Sequence, residues 1–215
     1  MIIDISPLVS PKIAVFPGDT PFKREMVRGF DEGDAYELSS INSTVHLGAH
    51  ADAPSHYAPD APAVHELSLV PYLGMCQVIQ VHGAPGARIQ LGDLGDIDIQ
   101  APRVLFRTDS FCDPDVWHDD FNSLSPSVIH WLADQDVLLV GIDTPSVDPA
   151  NDRHLETHGA ILIRELRVLE GLVLSHVMPG LYNLIALPLR LEGCEASPVR
   201  AVLLPMKGNS FGNLE

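Results

Sequence analysis

Residues 46–56 read HLGAHADAPSH, which places three histidines and one aspartate within eleven positions. Imidazole nitrogen and carboxylate oxygen are ligand types that zinc and similar divalent ions take in proteins, so His46, His50 and Asp52 are candidate metal ligands. The alternative is a surface loop whose histidines are incidental. The backbone geometry available to this stretch helps to separate the two interpretations.

Neither regular strand nor regular helix suits this stretch. In an extended strand, His46 and His50 would lie about 13 Å apart, too far to share one ion. In a helix, Asp52 would point away from both histidines, and Gly48 and Pro54 disfavour helical backbone. A strand that bends at Gly48 remains, because glycine has no Cβ to restrict its dihedral angles. We therefore predict a bent turn that holds the candidate ligands.

Composition limits the class of protein. With 215 residues, 46% of them hydrophobic and 20% charged, the chain is typical of one soluble globular domain, which we place over residues 1–215. A net charge of -16 argues against nucleic acid or an anionic membrane as a partner. Three widely spaced cysteines, no signal-peptide pattern at the N-terminus and no apolar run long enough to span a membrane predict a cytoplasmic protein.

Hydrophobic patterning, interrupted by 18 prolines and 16 glycines, predicts short elements with more strand than helix. Ser125 before Pro126 predicts a capping hydroxyl at the start of one helix. A second helix is expected from about 151 to 166, and its inner face would comprise Ile161, Leu162, Leu166 and Leu169. The predicted strands cover 2–8, 36–47, 75–82, 103–108, 137–142, 169–175, 182–189 and 199–204. The fold class predicted is a single mixed α/β domain.

Two further candidate ligands, His158 and Glu170, flank the second predicted helix. Twelve residues of straight helix would separate them by about 18 Å, so they can converge only if the chain reverses before Glu170. Spacing alone leaves this pairing open. The isolated histidines are expected to be surface or satisfied core residues, and they are His65, His82, His118, His130 and His154. Asp143, Thr144 and Ser146 follow a buried strand, where either a site loop or a proline-rich turn is expected.

The sequence resembles a known family. HLGAHADAPSHY at 46–57 is similar to the HxG(T/A)HxDxPxH signature of the cyclase-type metal-dependent amidohydrolases. Further similarities, in order along the chain, are FPGDTPF at 16–22, GIDTPSVDP at 141–149, LEGLVL at 169–174, LIALPLR at 184–190 and ASPVRAVL at 196–203. Within that family the chain most resembles the kynurenine formamidase, or arylformamidase, branch.

The resemblance implies a swivelling β/β/α-like fold with a metal site on loops, and an enzyme that acts on a small aryl formamide. The reaction would be hydrolysis of N-formyl-L-kynurenine to L-kynurenine and formate in tryptophan degradation, by a metal-activated hydroxide. Two zinc ions per subunit, or manganese, would be cofactors, and a homodimer or larger homo-oligomer is implied. His46, His50 and Asp52 would hold one ion. Asp52 as a bridge, His158 and Glu170 would hold the other, and His56 would be the general acid/base.

One departure from the family pattern lies in the N-terminal loop. The family usually has tryptophan before PGDTP, where it lines the substrate pocket, and this chain has Phe16. The ring can still stack on an aryl substrate but has no indole N–H. Alternatives are therefore a sibling activity, such as isatin ring opening or hydrolysis of another aryl or cyclic amide, and a metal-binding protein without catalysis. His56 favours catalysis, because a pure metal store does not need it.

Overall fold

The computed structural model describes residues 1–206. They contain two α-helices, α1 (Pro126–Asp134) and α2 (Glu156–Ile163). The strands are β1 (Ile3–Asp4), β2 (Lys23–Arg28), β3 (Leu38–Asn42), β4 (His50–Asp52), β5 (Leu73–Gln80), β6 (Arg88–Ile89), β7 (Arg103–Arg107), β8 (Ser123–Leu124), β9 (Leu139–Ile142), β10 (Arg167–Glu170), β11 (Gly180–Ile185), β12 (Ala196–Pro198) and β13 (Val202–Pro205). Residues 207–215 of the predicted domain lie outside the described residues.

Nine strands form one mixed sheet in the order β1-β13-β11-β5-β7-β9-β10-β4-β12. Strands β5, β7, β9 and β10 are parallel neighbours, and the other pairings in this sheet are antiparallel. Because β1 at the start of the chain pairs with β13 near its end, the sheet unites the described residues. Two small sheets, β2 with β3 and β6 with β8, accompany it. This architecture confirms the predicted strand-rich, mixed α/β fold.

Alternating side chains of the large sheet divide the core in two. On β7, Leu105 packs with Ile5 and Tyr182 in one hydrophobic cluster, as the period of two along a strand requires. Phe106 points to the opposite face and packs with helix residues such as Ile129 and Ile161. Both helices therefore cover the same face of the sheet.

Both helices lie where they were predicted, but α2 is shorter than predicted. Helix α1 begins at Pro126 after the N-cap Ser125, yet the Ser125 hydroxyl pairs with the Ser127 hydroxyl at 2.7 Å and does not cap the helix. Helix α2 covers only half of the predicted 151–166 range. Residues before Glu156 form a turn that ends at Leu155 in the left-handed conformation, with φ of 49°. Of the predicted inner face, Leu166 and Leu169 lie beyond the helix.

The strand predictions were most accurate in the sheet centre, where 75–82, 103–108 and 137–142 correspond to β5, β7 and β9. The predicted strands over 2–8, 36–47, 182–189 and 199–204 are shorter or displaced, as β1, β3, β11 and β13. The strand predicted over 169–175 was wrong in position. Strand β10 ends at Glu170 because Gly171 adopts φ of 64°, outside extended backbone.

No helix in residues 1–206 is long and apolar enough to cross a membrane.

Candidate metal centre and active site

The bend predicted at Gly48 is present. Gly48 has φ of 57°, and a Cβ there would lie 2.9 Å from Cγ of Pro7, so both the dihedral angle and the space favour glycine. Strand β4 then begins at His50, and its period of two places His50 and Asp52 on one face. The bend returns His46 to that face, with Nδ1 at 3.0 Å from Oδ1 of Asp52. This geometry confirms the bent turn.

Strand pairing brings Glu170 to the same place. Glu170 on β10 is directly opposite His50 on β4, so their side chains share a face. Nε2 of His50 lies 3.3 Å from Oε2 of Glu170 and 3.4 Å from Oδ1 of Asp52. Gly171 permits this approach, because a Cβ there would lie 2.1 Å from the carbonyl oxygen of Gly48. Glycine is therefore required at both positions 48 and 171, where the two backbone segments cross closely.

His158 lies on α2 and reaches the cluster because the chain reverses between this helix and β10. The spacing of His158 and Glu170 in sequence did not decide whether such a reversal occurs. Glu165, with φ of 57°, turns the chain after the helix, and β10 then runs back to Glu170. Nε2 of His158 lies 3.4 Å from Oδ2 of Asp52 and 3.4 Å from Oε1 of Glu170. We call His46, His50, Asp52, His158 and Glu170 the floor cluster. Its two sequence-distant members thus lie in contact with the others.

The floor cluster differs in one respect from the expectation of a site on loops. His50, Asp52 and Glu170 lie on strands, and His158 lies on a helix. Only His46 precedes regular structure. Alternation along β4 and cross-strand pairing with β10 hold these side chains in register, which irregular loops would not do as firmly.

Hydrogen bonds fix how two imidazoles face the cluster. Nδ1 of His50 lies 2.8 Å from the carbonyl oxygen of Gly48, and Nδ1 of His158 lies 2.8 Å from Oδ2 of Asp148. A carbonyl and an ionised carboxylate only accept hydrogen bonds, so each Nδ1 donates. Each Nε2 then faces Asp52 and Glu170. Second partners of this type commonly set the tautomer of metal-ligating histidines.

Charge pairing inside the cluster shifts its pKa values. Burial alone would lower the pKa of His50, but the Glu170 hydrogen bond and the Asp52 charge raise it to about 9. Burial would likewise lower the pKa of His158, but the hydrogen bond to Asp148 and the nearby carboxylates of Asp52 and Glu170 hold it well above its usual range. Conversely, burial would raise the pKa of Asp52, but the neighbouring His158 and His46 hold it well below its usual range. The cluster therefore favours ionised carboxylates that attract a cation.

The residues present fit a divalent metal ion. Both carboxylate oxygens of Asp52 and Nε2 of His158 are buried and have no hydrogen-bond partner within residues 1–206. Such atoms are costly unless something compensates them. Ligand atoms of His50, Asp52 and Glu170 lie within 4.8 Å of one another, and so do those of His46, Asp52 and His56. Asp52 belongs to both groups, so its two oxygens can serve two neighbouring positions.

His56 stands at the open side of the floor cluster. Its ring centroid is 4.3 Å from that of His46 and 5.9 Å from that of His158. Partial burial lowers its pKa, although the nearby Asp52 charge acts in the opposite direction, so the ring is neutral at pH 7. Its position allows either proton transfer or a role as a further ligand beside His46 and Asp52.

Asp148 is a functional residue that the sequence reasoning missed, although it lies within the quoted GIDTPSVDP motif. It accepts hydrogen bonds from the backbone N–H groups of Thr157 and His158 at 2.9 and 3.0 Å, which cap α2, and from Nδ1 of His158. Nη2 of Arg88 forms an ion pair with Oδ1 of Asp148 at 2.9 Å. Burial would raise the pKa of Asp148, but these hydrogen bonds lower it to about 2. An acidic residue ten positions before a candidate ligand was the available signal.

A cavity of about 740 Å³ lies above the floor cluster, within the usual size for a small-molecule site. Phe16, the predicted substrate-binding residue, lines it and is 39% exposed. Its ring meets that of Trp117 edge to face, with centroids 5.0 Å apart. Trp117 was not predicted, because its neighbourhood in sequence has no motif. The pair makes an aromatic wall opposite the polar floor, as an aryl ligand would need.

Comparison with known proteins identifies the family of this chain. Residues 3–149 match the family model Cyclase, described as "Putative cyclase". The chain is 45% identical over 200 residues to the kynurenine formamidase of Bordetella petrii, covering 93% of this chain and 96% of that protein. A solved structure described as a potential metal-dependent hydrolase with cyclase activity is 27% identical with a TM-score of 0.82, over 94% of this chain and 96% of the other. Isatin hydrolase A from Ralstonia solanacearum, 22% identical, shares the fold with a TM-score of 0.77, over 95% and 92% of the two chains. The chain belongs to the Cyclase family of metal-dependent hydrolases.

Proposed function

We propose that this chain is an arylformamidase that hydrolyses N-formyl-L-kynurenine to L-kynurenine and formate. The observation that carries the proposal is the convergence of three imidazoles and two carboxylates beneath a cavity with an aromatic wall. Relatives at 45–46% identity over nearly the whole chain have the name kynurenine formamidase, which fits that geometry. The aryl ring of the substrate would lie against Phe16 and Trp117, and its formamide would face the floor cluster.

We assign two zinc ions to the floor cluster, with manganese as the other ion that this ligand set accepts. His46, His50 and Asp52 would hold one ion. Asp52, His158 and Glu170 would hold the other, because each oxygen of Asp52 faces a different histidine. A bound metal of this type polarises a carbonyl oxygen and lowers the pKa of a water molecule.

His56 is our candidate general acid/base. Its neutral ring can take a proton from the attacking water as the oxygen adds to the formyl carbon. It then returns that proton to the aniline nitrogen as the C–N bond breaks, so the products are a neutral aryl amine and formic acid, which loses its remaining proton to solvent and leaves as formate. The neighbouring His46 ring, 4.3 Å away between centroids, holds His56 at the edge of the cavity.

His56→Ala tests this assignment. The variant should keep two zinc ions per chain by elemental analysis, yet lose formate release by at least about 100-fold. His130→Ala, on α1 and outside the cavity lining, is the matched control and should behave as wild type. A His56→Ala protein that binds fewer ions would make His56 a ligand, and full activity would remove it from the mechanism.

The same assay separates the alternatives left by Phe16. Wild-type protein of known metal content is given N-formyl-L-kynurenine, other aryl formamides and isatin, with and without a chelator. Preferential isatin opening would indicate the sibling activity. No turnover of any substrate, with metal bound, would indicate a metal-binding protein without catalysis.

We also propose a cytoplasmic homodimer, one domain per chain, in which β2 and β3 form an interface. Every residue of these two strands is exposed, including Val27 and Ile41, which are 54% and 71% exposed. An isolated two-stranded ribbon is marginally stable in water, so a second copy is a suitable support. Light scattering should give twice the chain mass for wild type and a smaller value for Ile41→Lys.

The three free cysteines support the proposed cytoplasmic location, because free thiols are typical of a reducing compartment.

A further inference from the structure

Arg153 differs in charge from the rest of the cavity wall. Within residues 1–206 it is the only lysine or arginine among the residues that line the cavity. Outside the floor cluster the same wall has four carboxylates, from Asp19, Asp143, Asp152 and Glu195. In a chain with a net charge of -16, this arrangement gives the described part of the acidic cavity wall a single positively charged position.

The guanidinium of Arg153 has no partner within residues 1–206. All ten arginines of the chain lie in this part, and eight of them donate to carboxylate, hydroxyl or carbonyl oxygens, namely Arg24, Arg28, Arg88, Arg103, Arg107, Arg164, Arg167 and Arg200. Only Arg153 and Arg190 have no ion pair or hydrogen bond from their side chains, and Arg190 does not line the cavity. Arg153 therefore has five N–H donors available to a ligand.

The backbone around Arg153 is held on both sides. Asp152 pairs with Arg88 and accepts the backbone N–H of His154 at 2.8 Å. Leu155, with φ of 49°, then turns the chain into α2. Arg153 is five positions before His158 and lines the same cavity, so their Cα atoms are at most about 18 Å apart. A fixed backbone with a free side chain, close to the floor cluster, suits an anchor for one end of a substrate.

Electrostatics defines the group that Arg153 can bind. An anionic group would be repelled by the carboxylates elsewhere on the wall and attracted at this residue. The planar guanidinium matches a carboxylate with two parallel hydrogen bonds. An ammonium group next to that carboxylate would suit the acidic side chains around it. An α-amino acid headgroup satisfies both charges.

We propose that Arg153 binds the α-carboxylate of the substrate, so that the site selects aryl formamides with an amino acid side chain over neutral ones. The inference rests on the proposed formamidase function. It makes Arg153 a specificity-determining residue and gives the cavity three parts, which are the floor cluster for the formamide, the Phe16–Trp117 wall for the ring and Arg153 for the carboxylate.

The test compares two substrates that differ only in the headgroup, N-formyl-L-kynurenine and 2-formamidoacetophenone. Arg153→Met should raise KM for N-formyl-L-kynurenine about 10–100-fold and change kcat little, because binding to a remote group is lost equally in the ground and transition states. KM for 2-formamidoacetophenone should change less than about threefold. Arg153→Lys should be intermediate, since it keeps the charge and loses the fork. Arg190→Met is the matched control and should match wild type with both substrates.

Calorimetry with L-kynurenine gives a readout that does not require turnover. The zinc-loaded Arg153→Met protein should bind L-kynurenine about 10–100-fold more weakly than wild type. Equal changes with both substrates, or unchanged L-kynurenine affinity, would overturn the role of Arg153. A wild-type protein that hydrolyses neither substrate would contradict the proposed function instead, and the calorimetry would still decide the role of Arg153.

Discussion

The floor cluster and the rim of the cavity, which comprises Phe16, Trp117 and Arg153, are built in opposite ways. Each floor residue is set by several contacts, such as His50, which meets Gly48, Asp52 and Glu170 within 3.4 Å. Rim residues have few constraints. Phe16 touches Trp117 through one ring contact, and the Arg153 side chain has no polar partner in the described chain.

This difference separates two tasks. Metal binding and proton transfer require side chains placed within fractions of an ångström, which strand register and burial supply. Selection of a substrate needs side chains that can adapt or be exchanged, and loops tolerate such change. Changes in the floor should therefore abolish chemistry, whereas changes in the rim should alter which substrate is used.

The largest effect is expected from Asp52→Asn in the floor. The variant keeps the shape but loses the charge that both candidate metal positions share. We expect metal content by elemental analysis to fall below one ion per chain and formate release to fall at least about 1000-fold. Asp134→Asn, which removes a surface carboxylate paired with Arg164, is the control. Two ions and normal turnover in Asp52→Asn would place the metal elsewhere.

Metal removal should give the floor an unusual pH dependence. Folding raises the pKa of His50 from 6.5 to about 9, so protonated His50 stabilises the metal-free protein. This contribution is fully present below pH 6.5 and is lost as the pH rises through 9. The lowered pKa of Asp52 acts at the other end, because its contribution is lost as the pH falls below 3.8. Urea unfolding in a chelator should therefore show stability falling by up to about 3 kcal/mol from pH 6.5 to 9. Rising stability over that interval would contradict the charge pairing.

Asp148→Asn should have a smaller effect, because it acts through His158. Both carboxylate oxygens of Asp148 accept hydrogen bonds, so the amide NH2 of asparagine must face either Nδ1 of His158 or the Thr157 N–H and Arg88, and the ring is held less firmly. Zinc affinity, measured against a competing chelator, should fall about 10–100-fold for one of two ions. The downfield Nδ1 proton signal of His158 in zinc-loaded protein should shift or vanish. Unchanged affinity and an unchanged signal would limit Asp148 to capping α2.

The smallest effect is expected at the rim, from Phe16→Ala. Loss of the ring contact with Trp117 and with an aryl substrate should raise KM about 3–10-fold at nearly constant kcat. Metal content should stay as in wild type. Phe16→Trp, which restores the residue usual in the family, is the comparison variant and should keep or lower KM. A loss of bound metal in Phe16→Ala would show that floor and rim are not independent.

Sequence reasoning predicted the floor better than the rim. Spacing and backbone preference were enough to predict the bend at Gly48, because glycine, proline and repeated histidines leave few local conformations open. Resemblance then supplied the meeting of His158 with Glu170. Asp148 escaped notice because an aspartate in a turn is common, and Trp117 and Arg153 escaped because each stands alone in sequence. Their roles depend on neighbours that only folding brings close.

The sequence by itself determined a strand-rich α/β domain, an acidic surface and one bent segment with metal-ligand chemistry, since these follow from composition, periodicity and local dihedral preference. Tertiary structure decided how that segment is completed. Pairing of β4 with β10, the reversal at Glu165 and the close crossing of Gly48 and Gly171 bring together groups more than a hundred residues apart. Such contacts arise from burial and register across the whole sheet, which no local stretch of sequence specifies.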